Sequence, residues 1–312
     1  NSVFPRQQRL DFKSLLNDKT YYYYNNLNDS EKDAYITMYY SFMSFDDSFV
    51  MELDVDNLKS VFIAVLYDNP QIFWVNNDYK YIENHKSVLF TPNYRCTEKD
   101  AQEKTFQLNN KINEIVSYIN TLGSDYDKEL YIHDYVCDNT VYDESLIQSN
   151  GDSAYDSLML GKAICEGYSR AVQILLDAVD IDNYLVVGDG QSNGKVEPHM
   201  WNVVKIDNLY YHLDATWDDS GADESTVYFY FNVSDEIIQK DHFNIEPANQ
   251  FCISDSAYYY VVENSYIYNY KDFSGHIDRS AETLKKDKNS VEFVFNNSDD
   301  FKKALEACDR SS

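Results

Sequence analysis

A two-residue connection between two strand-like segments constrains the fold of this chain more than any other sequence feature. Residues 200–206 and 209–215 have the composition of short β-strands, and only Asp207 and Asn208 separate them. A two-residue turn pairs Ile206 with Leu209 and thereby fixes every other pair along the two strands. The segment therefore predicts an antiparallel hairpin of defined register.

The hairpin register decides which side chains meet across the two strands. It pairs Trp201 with Asp214, and His199 shares the face of Trp201 because it precedes that residue by two positions. His199 and Asp214 are then diagonal neighbours, with Cα atoms roughly 7–8 Å apart. Tyr210 and His212 share this face, whereas a one-residue change of register would turn Asp214 away from it.

A cysteine that starts a predicted helix completes a set of three reactive side chains. Residues 165–179 have helical periodicity, and Cys165 is the first of them. A thiol at a helix N-terminus faces the positive end of the helix dipole, so we expect a lowered pKa and an oxyanion site at its own N–H group. His199 can accept the thiol proton and Asp214 can orient the imidazole. Cys165, His199 and Asp214 are therefore the predicted catalytic residues.

Aromatic and polar residues near these motifs are candidates for the walls of a substrate cleft. Core packing explains the aromatic positions equally well, and a strand histidine beside a site is more often a packing residue. Glu166 either tunes the charge at the cysteine or is a solvated residue of the first helical turn. His133 is predicted to be structural. The substrate-cleft candidates are Tyr142, Tyr155, Trp201, His212 and Trp217.

The sequence predicts no metal site and no cofactor. A zinc hydrolase that uses His199, His212 and Asp214 is the weaker alternative, because no helix carries two histidines at ligand spacing. Four acidic residues could attract calcium, but they lack the spacing of an EF-hand loop. They are Asp218, Asp219, Asp223 and Glu224.

Together, the three motifs resemble the transglutaminase-like superfamily of cysteine enzymes. The resemblance covers about residues 105–245, and residues 132–135 and 141–143 look like the bacterial branch of that family. Residues 68–74 resemble a segment that often precedes the domain in exported Gram-positive proteins. The matching blocks are Cys165 with Gly167-Tyr168, His199 with Trp201-Asn202, and Tyr211 with Asp214, Thr216 and Trp217.

The resemblance implies a papain-like core with a Cys-His-Asp triad at Cys165, His199 and Asp214. It also implies acyl transfer from a glutamine side chain or a peptide amide, through a thioester on the cysteine, to an amine or to water. The family contains protein cross-linkers, proteases, amide hydrolases and members without activity. The sequence therefore leaves open the substrate, the choice between transfer and hydrolysis, and the oligomeric state.

The order of predicted elements indicates an α+β fold, in which the helix bearing Cys165 packs on an antiparallel sheet. Three regions are predicted: an N-terminal α+β lobe over residues 1–98, a transglutaminase-like core over residues 99–248, and a β-rich C-terminal extension over residues 249–312. Within the extension, residues 258–262 and 265–270 are predicted to form a Tyr-rich hairpin. A strand over residues 291–295 and a helix over residues 298–307 are expected to follow it.

Charge and composition exclude several classes of protein. With 26 basic against 53 acidic side chains, the formal net charge of −27 opposes binding to nucleic acids and to anionic membranes. Hydrophobic residues form 44% of the chain, enough for a sizeable core. The five cysteines include no CxxC pair, and no run of about 18 apolar residues could span a membrane.

We expect an exported bacterial enzyme whose partner is a protein or peptide substrate, including cell-wall peptide. The chain starts at Asn1 without a signal-peptide pattern, which indicates a processed fragment, and its Tyr, Asn and Ser content favours an extracellular or cell-surface location. The alternative is a non-catalytic surface module that keeps the fold and binds partners through the cleft or its Tyr-rich lobes. The two hypotheses differ in whether Cys165 is an activated thiolate.

Overall fold

The computed structural model describes residues 21–147, 151–219, 221, 226–247, 251–273, 275–277 and 292–309. Within them, no helix is both long and apolar enough to cross a membrane. The helices are α1 (Tyr22–Asn25), α2 (Asp29–Met43), α3 (Leu58–Asp68), α4 (Glu98–Ile119), α5 (Asp125–Asn139), α6 (Cys165–Asp177), α7 (Ala215–Asp218), α8 (Asp235–Ile238), α9 (Tyr259–Val262) and α10 (Ser298–Asp309). The strands are β1 (Phe49–Glu52), β2 (Val75–Asn84), β3 (Ser87–Tyr94), β4 (Val141–Tyr142), β5 (Lys162–Ala163), β6 (Asn183–Ser192), β7 (Lys195–Ile206), β8 (Leu209–Leu213), β9 (Phe231–Val233), β10 (His242–Glu246), β11 (Tyr266–Ile267) and β12 (Val294–Phe295).

The central sheet has five strands in the order β10-β6-β7-β8-β9, and all its pairings are antiparallel. The predicted hairpin is confirmed: Ile206 pairs with Leu209, and the turn residues Asp207 and Asn208 have φ values of 50° and 66°. Both values lie in the left-handed region that a two-residue hairpin turn requires. Strand β8 ends at Leu213, earlier than predicted, because the next residue already caps the short helix α7.

Helix α6 packs against β7 through hydrogen bonds as well as apolar contacts. The Ser169 hydroxyl lies 2.9 Å from the Met200 carbonyl oxygen, and the Asn202 side-chain amide donates to the Ser169 carbonyl over 3.0 Å. A Cβ atom at Gly167 would lie 2.6 Å from the Ala163 Cβ atom, so glycine permits the close approach of the first helical turn. The predicted α+β arrangement, with the cysteine helix on an antiparallel sheet, is thus confirmed.

The N-terminal lobe combines α2 and α3 with a three-stranded antiparallel sheet of order β1-β3-β2. One continuous apolar cluster contains Val61 and Leu66 of α3 together with Tyr168 and Leu175 of α6. The lobe and the core therefore share buried side chains. Residues 72–74 form an irregular buried segment, in which the Trp74 indole N–H donates to the Phe42 carbonyl.

The C-terminal extension differs from the predicted β-rich structure. Residues 259–262, expected as the first strand of a hairpin, form the helical turn α9. The two-residue strand β11 pairs in parallel with β12, and α10 follows as the sequence predicts. The Tyr-rich composition was misleading because Tyr258 and Tyr260 pack against the central sheet as part of an apolar cluster with Trp201 and Val203. Burial of these rings, rather than strand pairing, fixes the local structure.

Candidate active site

A cavity of about 690 Å³ opens between α3, the N-terminus of α6 and the strands β6 and β7. Cys165 and Glu166 contribute to it from α6, and His199 and Met200 contribute from β7. The cavity therefore brings two of the three predicted catalytic residues to one surface. The other lining residues are Lys59, Ile63, Tyr67, Tyr142, Ile147, Ile164, Val187, Gly188, Asp189, Glu197, Pro198 and Asn244.

The third predicted catalytic residue, Asp214, holds His199 from behind the cavity wall. His199 Nε2 lies 2.7 Å from Asp214 Oδ2, and the other carboxylate oxygen accepts from the backbone N–H groups of Thr216 and Trp217 over 3.0 and 3.3 Å. Burial alone raises the pKa of a carboxyl group. Here the charge and hydrogen bonds of His199 and His242 outweigh burial, and they hold the pKa of Asp214 well below its usual range.

The contact with Asp214 assigns the two nitrogens of His199 different tasks. A carboxylate can only accept, so Nε2 carries the hydrogen that is donated to Asp214. In the neutral ring, Nδ1 is then the atom with a free lone pair. This is the nitrogen that can accept a proton from a thiol in the same cavity.

The Cys165 thiol does not have the lowered pKa that its helix position predicts. Burial raises the pKa of Cys165 to about 12, and the charge of Glu166 acts in the same direction. The backbone N–H groups of Met200 and Glu166 oppose this shift. Across the described part of the chain, no hydrogen bond joins the Cys165 sulfur to the His199 ring. The thiol is therefore neutral in this arrangement, because desolvation outweighs the helix terminus.

The structure adds His242 of β10, which sequence analysis missed. Its Nε2 lies 3.1 Å from Asp214 Oδ2, the oxygen that also contacts His199, and its Nδ1 lies 2.7 Å from Asp241 Oδ1. Burial lowers the pKa of His242, but the hydrogen bonds to the two carboxylates outweigh it and raise the pKa to about 9. No spacing in the sequence points to this residue, and its acidic neighbour Asp241 is the single local signal.

The five predicted cleft residues have different locations. Tyr142 lines the cavity. Trp201 is fully buried and donates from its indole N–H to His212 Nδ1 over 3.0 Å. His212 donates in turn from Nε2 to Asp235 over 2.9 Å. Trp201 and His212 therefore lie beneath the site and outside the cavity, since both polar groups are satisfied in the interior.

The other two predicted cleft residues also lie outside the lining of the cavity. Tyr155 lines a separate cavity of about 330 Å³ and packs its ring 5.2 Å from that of Phe73. The Trp217 ring lies 5.4 Å from the His199 ring and crosses Gly190, where a Cβ atom would come within 2.7 Å of the indole. Trp217 thus packs between His199 and the backbone of Gly190 rather than on the cavity lining.

The structure does not assemble the predicted alternative zinc set, because His212 is bonded to Trp201 and Asp235. Instead, potential ligand atoms of His199, Asp214 and His242 lie within 4.8 Å of one another. The proposed calcium residues are otherwise engaged where the structure describes them: Asp218 contacts His133, and Asp219 accepts from Tyr168. Asp223 and Glu224 lie outside the described residues.

One wall of the cavity comes from the N-terminal lobe, which sequence analysis did not connect with the site. Lys59, Ile63 and Tyr67 lie four residues apart along α3 and share a face of that helix. The opposite face, with Val61 and Leu66, enters the core. The sequence of α3 is apolar around most of the helix circumference, and such a helix is expected to be covered on more than one face. This pattern could have indicated that α3 contacts the core as well as its own lobe.

The site combines a cysteine at a helix N-terminus, a strand histidine and an aspartate bonded to that histidine, which are the three side chains of a papain-like cysteine triad. The family model of the transglutaminase-like superfamily matches residues 96–215. These residues therefore belong to the transglutaminase-like superfamily, which confirms the resemblance inferred from the three motifs.

Comparison with known proteins gives one curated relative and several solved structures. Kyphoscoliosis peptidase of Mus musculus is 26% identical over 169 residues, which are 48% of this chain and 26% of that protein. The chain thus spans about a quarter of the length of this relative. A solved TGase shares 16% identity over 59% of this chain and 54% of its own, with a TM-score of 0.33. A candidate cysteine protease from Cytophaga hutchinsonii shares 14% identity over 45% and 61%, with a TM-score of 0.32.

Proposed function

We propose that this protein is a cysteine-dependent acyl-transfer enzyme that forms a thioester on Cys165. The observation that carries the proposal is the division of tasks in His199. Its Nε2 is bound to Asp214, and its Nδ1 is left for the thiol of the cavity that both residues line. Membership of residues 96–215 in a superfamily of cysteine enzymes supports the same chemistry.

The reaction follows from the positions of these groups. His199 Nδ1 accepts the thiol proton, and the Cys165 sulfur attacks the carbonyl carbon of an amide. The backbone N–H of Cys165, at a helix start that no side chain caps, can donate to the developing oxyanion. His199 then protonates the leaving amine as the C–N bond breaks and the thioester forms. Water or an amine attacks the thioester, its proton passes to His199, and the C–S bond breaks to restore the thiol.

The proposed substrates are amides of proteins or peptides, including cell-wall peptides. The mouse relative is named a peptidase and one solved relative a TGase, which supports both water and amines as acceptors. We also propose an extracellular or cell-surface location, on the grounds of the acidic composition rich in Tyr, Asn and Ser. A bacterial source is proposed because residues 132–135 and 141–143 resemble the bacterial branch of the family. A peptide segment would enter the cavity from the side of Tyr67 and Tyr142, where the walls are aromatic.

A non-catalytic binding module is the second candidate, and the raised pKa of Cys165 favours it. A thiol that stays neutral at physiological pH has no nucleophilic role unless His199 takes its proton. The two candidates therefore make opposite predictions about the reactivity of Cys165.

The test is the rate of Cys165 alkylation by iodoacetamide against pH, measured by mass spectrometry in the parent, in His199→Ala and in His85→Ala. His85 is exposed on the turn between β2 and β3 and serves as the matched control. We expect reaction below about pH 8 in the parent and in His85→Ala, and its loss in His199→Ala. Reaction only above that pH in all three proteins would contradict the proposal and favour the binding module.

A further inference from the structure

The Asp214 carboxylate is held by a second imidazole besides that of His199. We propose that His242 is a positioning residue of the triad, which fixes Asp214 Oδ2 and shares its negative charge with His199. This inference rests on the proposed function, because it assigns His242 a role in the state of His199.

The hydrogen bonds around Asp214 leave the carboxylate no freedom to rotate. Oδ1 accepts two backbone N–H groups at the start of α7, and Oδ2 accepts from both His199 and His242. Asp214 is 1% exposed, so water does not replace any of these donors readily. Loss of the His242 contact would leave His199 as the one imidazole donor at Oδ2. The position of the carboxylate would then depend on His199, the residue that the carboxylate itself orients.

Hydrogen-bond geometry also fixes the protonation of His242. Its Nε2 contacts Asp214 and its Nδ1 contacts Asp241, and each carboxylate acts as an acceptor. Both ring nitrogens therefore carry hydrogen, and the ring is an imidazolium. The pKa of about 9 agrees with this assignment. A positive charge at Oδ2 reduces the attraction that Asp214 exerts on a proton at His199.

Titratable groups face His242 from several elements of the central sheet. The Tyr230 hydroxyl donates to Asp241 Oδ2 over 2.7 Å, so it supports the second carboxylate. The rings of His199 and Tyr230 lie 5.4 and 5.2 Å from that of His242. His212 is close enough that the charge of His242, after burial, lowers the pKa of His212. Among the described residues, the titratable groups that face His242 are Asp214, Asp241, His199, His212 and Tyr230.

Two substitutions of His242 separate its hydrogen bond from its charge. The Nε2 of a glutamine occupies the place of the histidine Nε2, so His242→Gln keeps the donor to Asp214. The Nδ2 of an asparagine mimics the histidine Nδ1, so His242→Asn keeps the donor to Asp241 and loses the one to Asp214. Both variants lack the positive charge.

The experiment measures Cys165 alkylation by iodoacetamide at pH 7 and the NMR signal of the hydrogen on His199 Nε2 in the full chain. We expect alkylation to be about tenfold slower in His242→Asn than in His242→Gln, because a loosened His199 meets the thiol less often in the reactive geometry. We expect the hydrogen on His199 Nε2 to exchange with solvent faster in His242→Asn than in His242→Gln, because the Asp214 carboxylate that accepts it is no longer fixed. Equal alkylation rates and equal exchange in the two variants would overturn the proposal.

Asp241→Asn keeps the proposal testable if the His242 variants do not fold. The Asp241 side chain is 30% exposed, and the asparagine oxygen can still accept from His242 Nδ1. An amide oxygen holds His242 less firmly than a carboxylate, so we expect the hydrogen on His199 Nε2 to exchange with solvent faster in Asp241→Asn than in the parent. Unchanged exchange would count against the proposal. The NMR readout does not require a reactive thiol. A parent protein whose alkylation does not depend on His199 would therefore contradict the proposed function, while the exchange still decides the role of His242.

Discussion

The two ends of the short helix α7 carry the same chemical groups in different surroundings. At its start, Asp214 contacts His199, which shares a cavity with Cys165. At its end, one turn later, Asp218 contacts His133 over 3.2 Å, and the Cys137 sulfur lies 3.9 Å from the same ring nitrogen. The molecule thus contains a second Cys-His-Asp group, made by α5 and α7.

The two Cys-His-Asp groups differ more in their access to solvent than in the contacts among their side chains. His133 and Asp218 are fully buried, and the Cys137 thiol donates to the Ala215 carbonyl over 3.3 Å. In the cavity group, by contrast, the Cys165 sulfur makes no hydrogen bond to His199 within the described residues. Both residues nevertheless line the cavity. We therefore expect the group with more hydrogen bonds to be the unreactive one, because a nucleophile needs a route to its substrate and a basic nitrogen beside it.

The strongest test of this comparison exchanges sulfur for oxygen in each group. Serine is a weaker nucleophile than cysteine. Cys165→Ser is therefore expected to abolish the burst of nitrophenolate from p-nitrophenyl acetate, a loss of about 10³-fold or more. Cys137→Ser is expected to keep the burst within about threefold of the parent. A similar loss in both variants would contradict the division between a reactive and an inert group.

The free energy of unfolding is expected to depend more on the buried group than on the cavity group. His133→Leu removes the histidine partner of a fully buried carboxylate and is expected to lower the free energy of unfolding by about 3 kcal/mol. His199→Leu removes one of the two imidazole donors of Asp214, which keeps its contact with His242, and is expected to cost less than about 1 kcal/mol. Urea unfolding at pH 7 measures both values, and equal losses would show that the two aspartates depend on their histidines alike.

The buried surroundings of His133 should also determine part of the pH dependence of the free energy of unfolding. Burial raises the pKa of Glu129, one helical turn before His133, to about 8, while the Asn232 hydrogen bond opposes the shift. The fold favours the protonated form, so the parent loses stability as the pH rises from about 4.5 to about 8. We expect Glu129→Gln to be more stable than the parent by about 2 kcal/mol at pH 8 and equal near pH 4.5.

The exposed Glu103→Gln variant is the control for this experiment, since Glu103 lies on the outer face of α4. It should leave the difference between the two pH values unchanged. A stability gain of Glu129→Gln that is the same at both pH values would show that the carboxyl group is not the cause.

The smallest expected effect concerns the charge next to the reactive thiol. After burial, Glu166 makes the largest contribution to the raised pKa of Cys165. We therefore expect Glu166→Gln to accelerate the alkylation of Cys165 at pH 7 by about threefold to tenfold. Glu197→Gln removes a charge from the same cavity and should have a smaller effect. Equal rates in Glu166→Gln and the parent would show that desolvation alone keeps the thiol neutral.

Local patterns predicted the parts of this molecule that depend on neighbours in the chain. The two-residue turn fixed the hairpin register, and the register brought His199 to Asp214. The helix start at Cys165 is likewise legible from a few residues. The three blocks gave the resemblance to the superfamily, and the family match over residues 96–215 confirms it.

Features that depend on distant parts of the chain could not be predicted in this way. His242 reaches Asp214 because β10 pairs with β6, and nothing local announces that pairing. The pKa of Cys165 reflects how deeply the cavity buries it, which is a property of the assembled walls. The failure of the predicted Tyr-rich hairpin has the same origin, since the burial of Tyr258 and Tyr260 overrides their strand preference.

The cavity wall formed by α3 has a consequence for dissecting the chain. The predicted boundary near residue 98 separates stretches of sequence, but Lys59, Ile63 and Tyr67 belong to the same chamber as Cys165. Arg170 of α6 donates to the Leu66 carbonyl, and Gln173 of the same helix donates to the Tyr67 carbonyl. A fragment that begins at residue 99 would retain Cys165, His199 and Asp214 and lose the wall of the cavity that α3 supplies. We therefore expect the smallest working unit of this protein to be larger than the segment that matches the family.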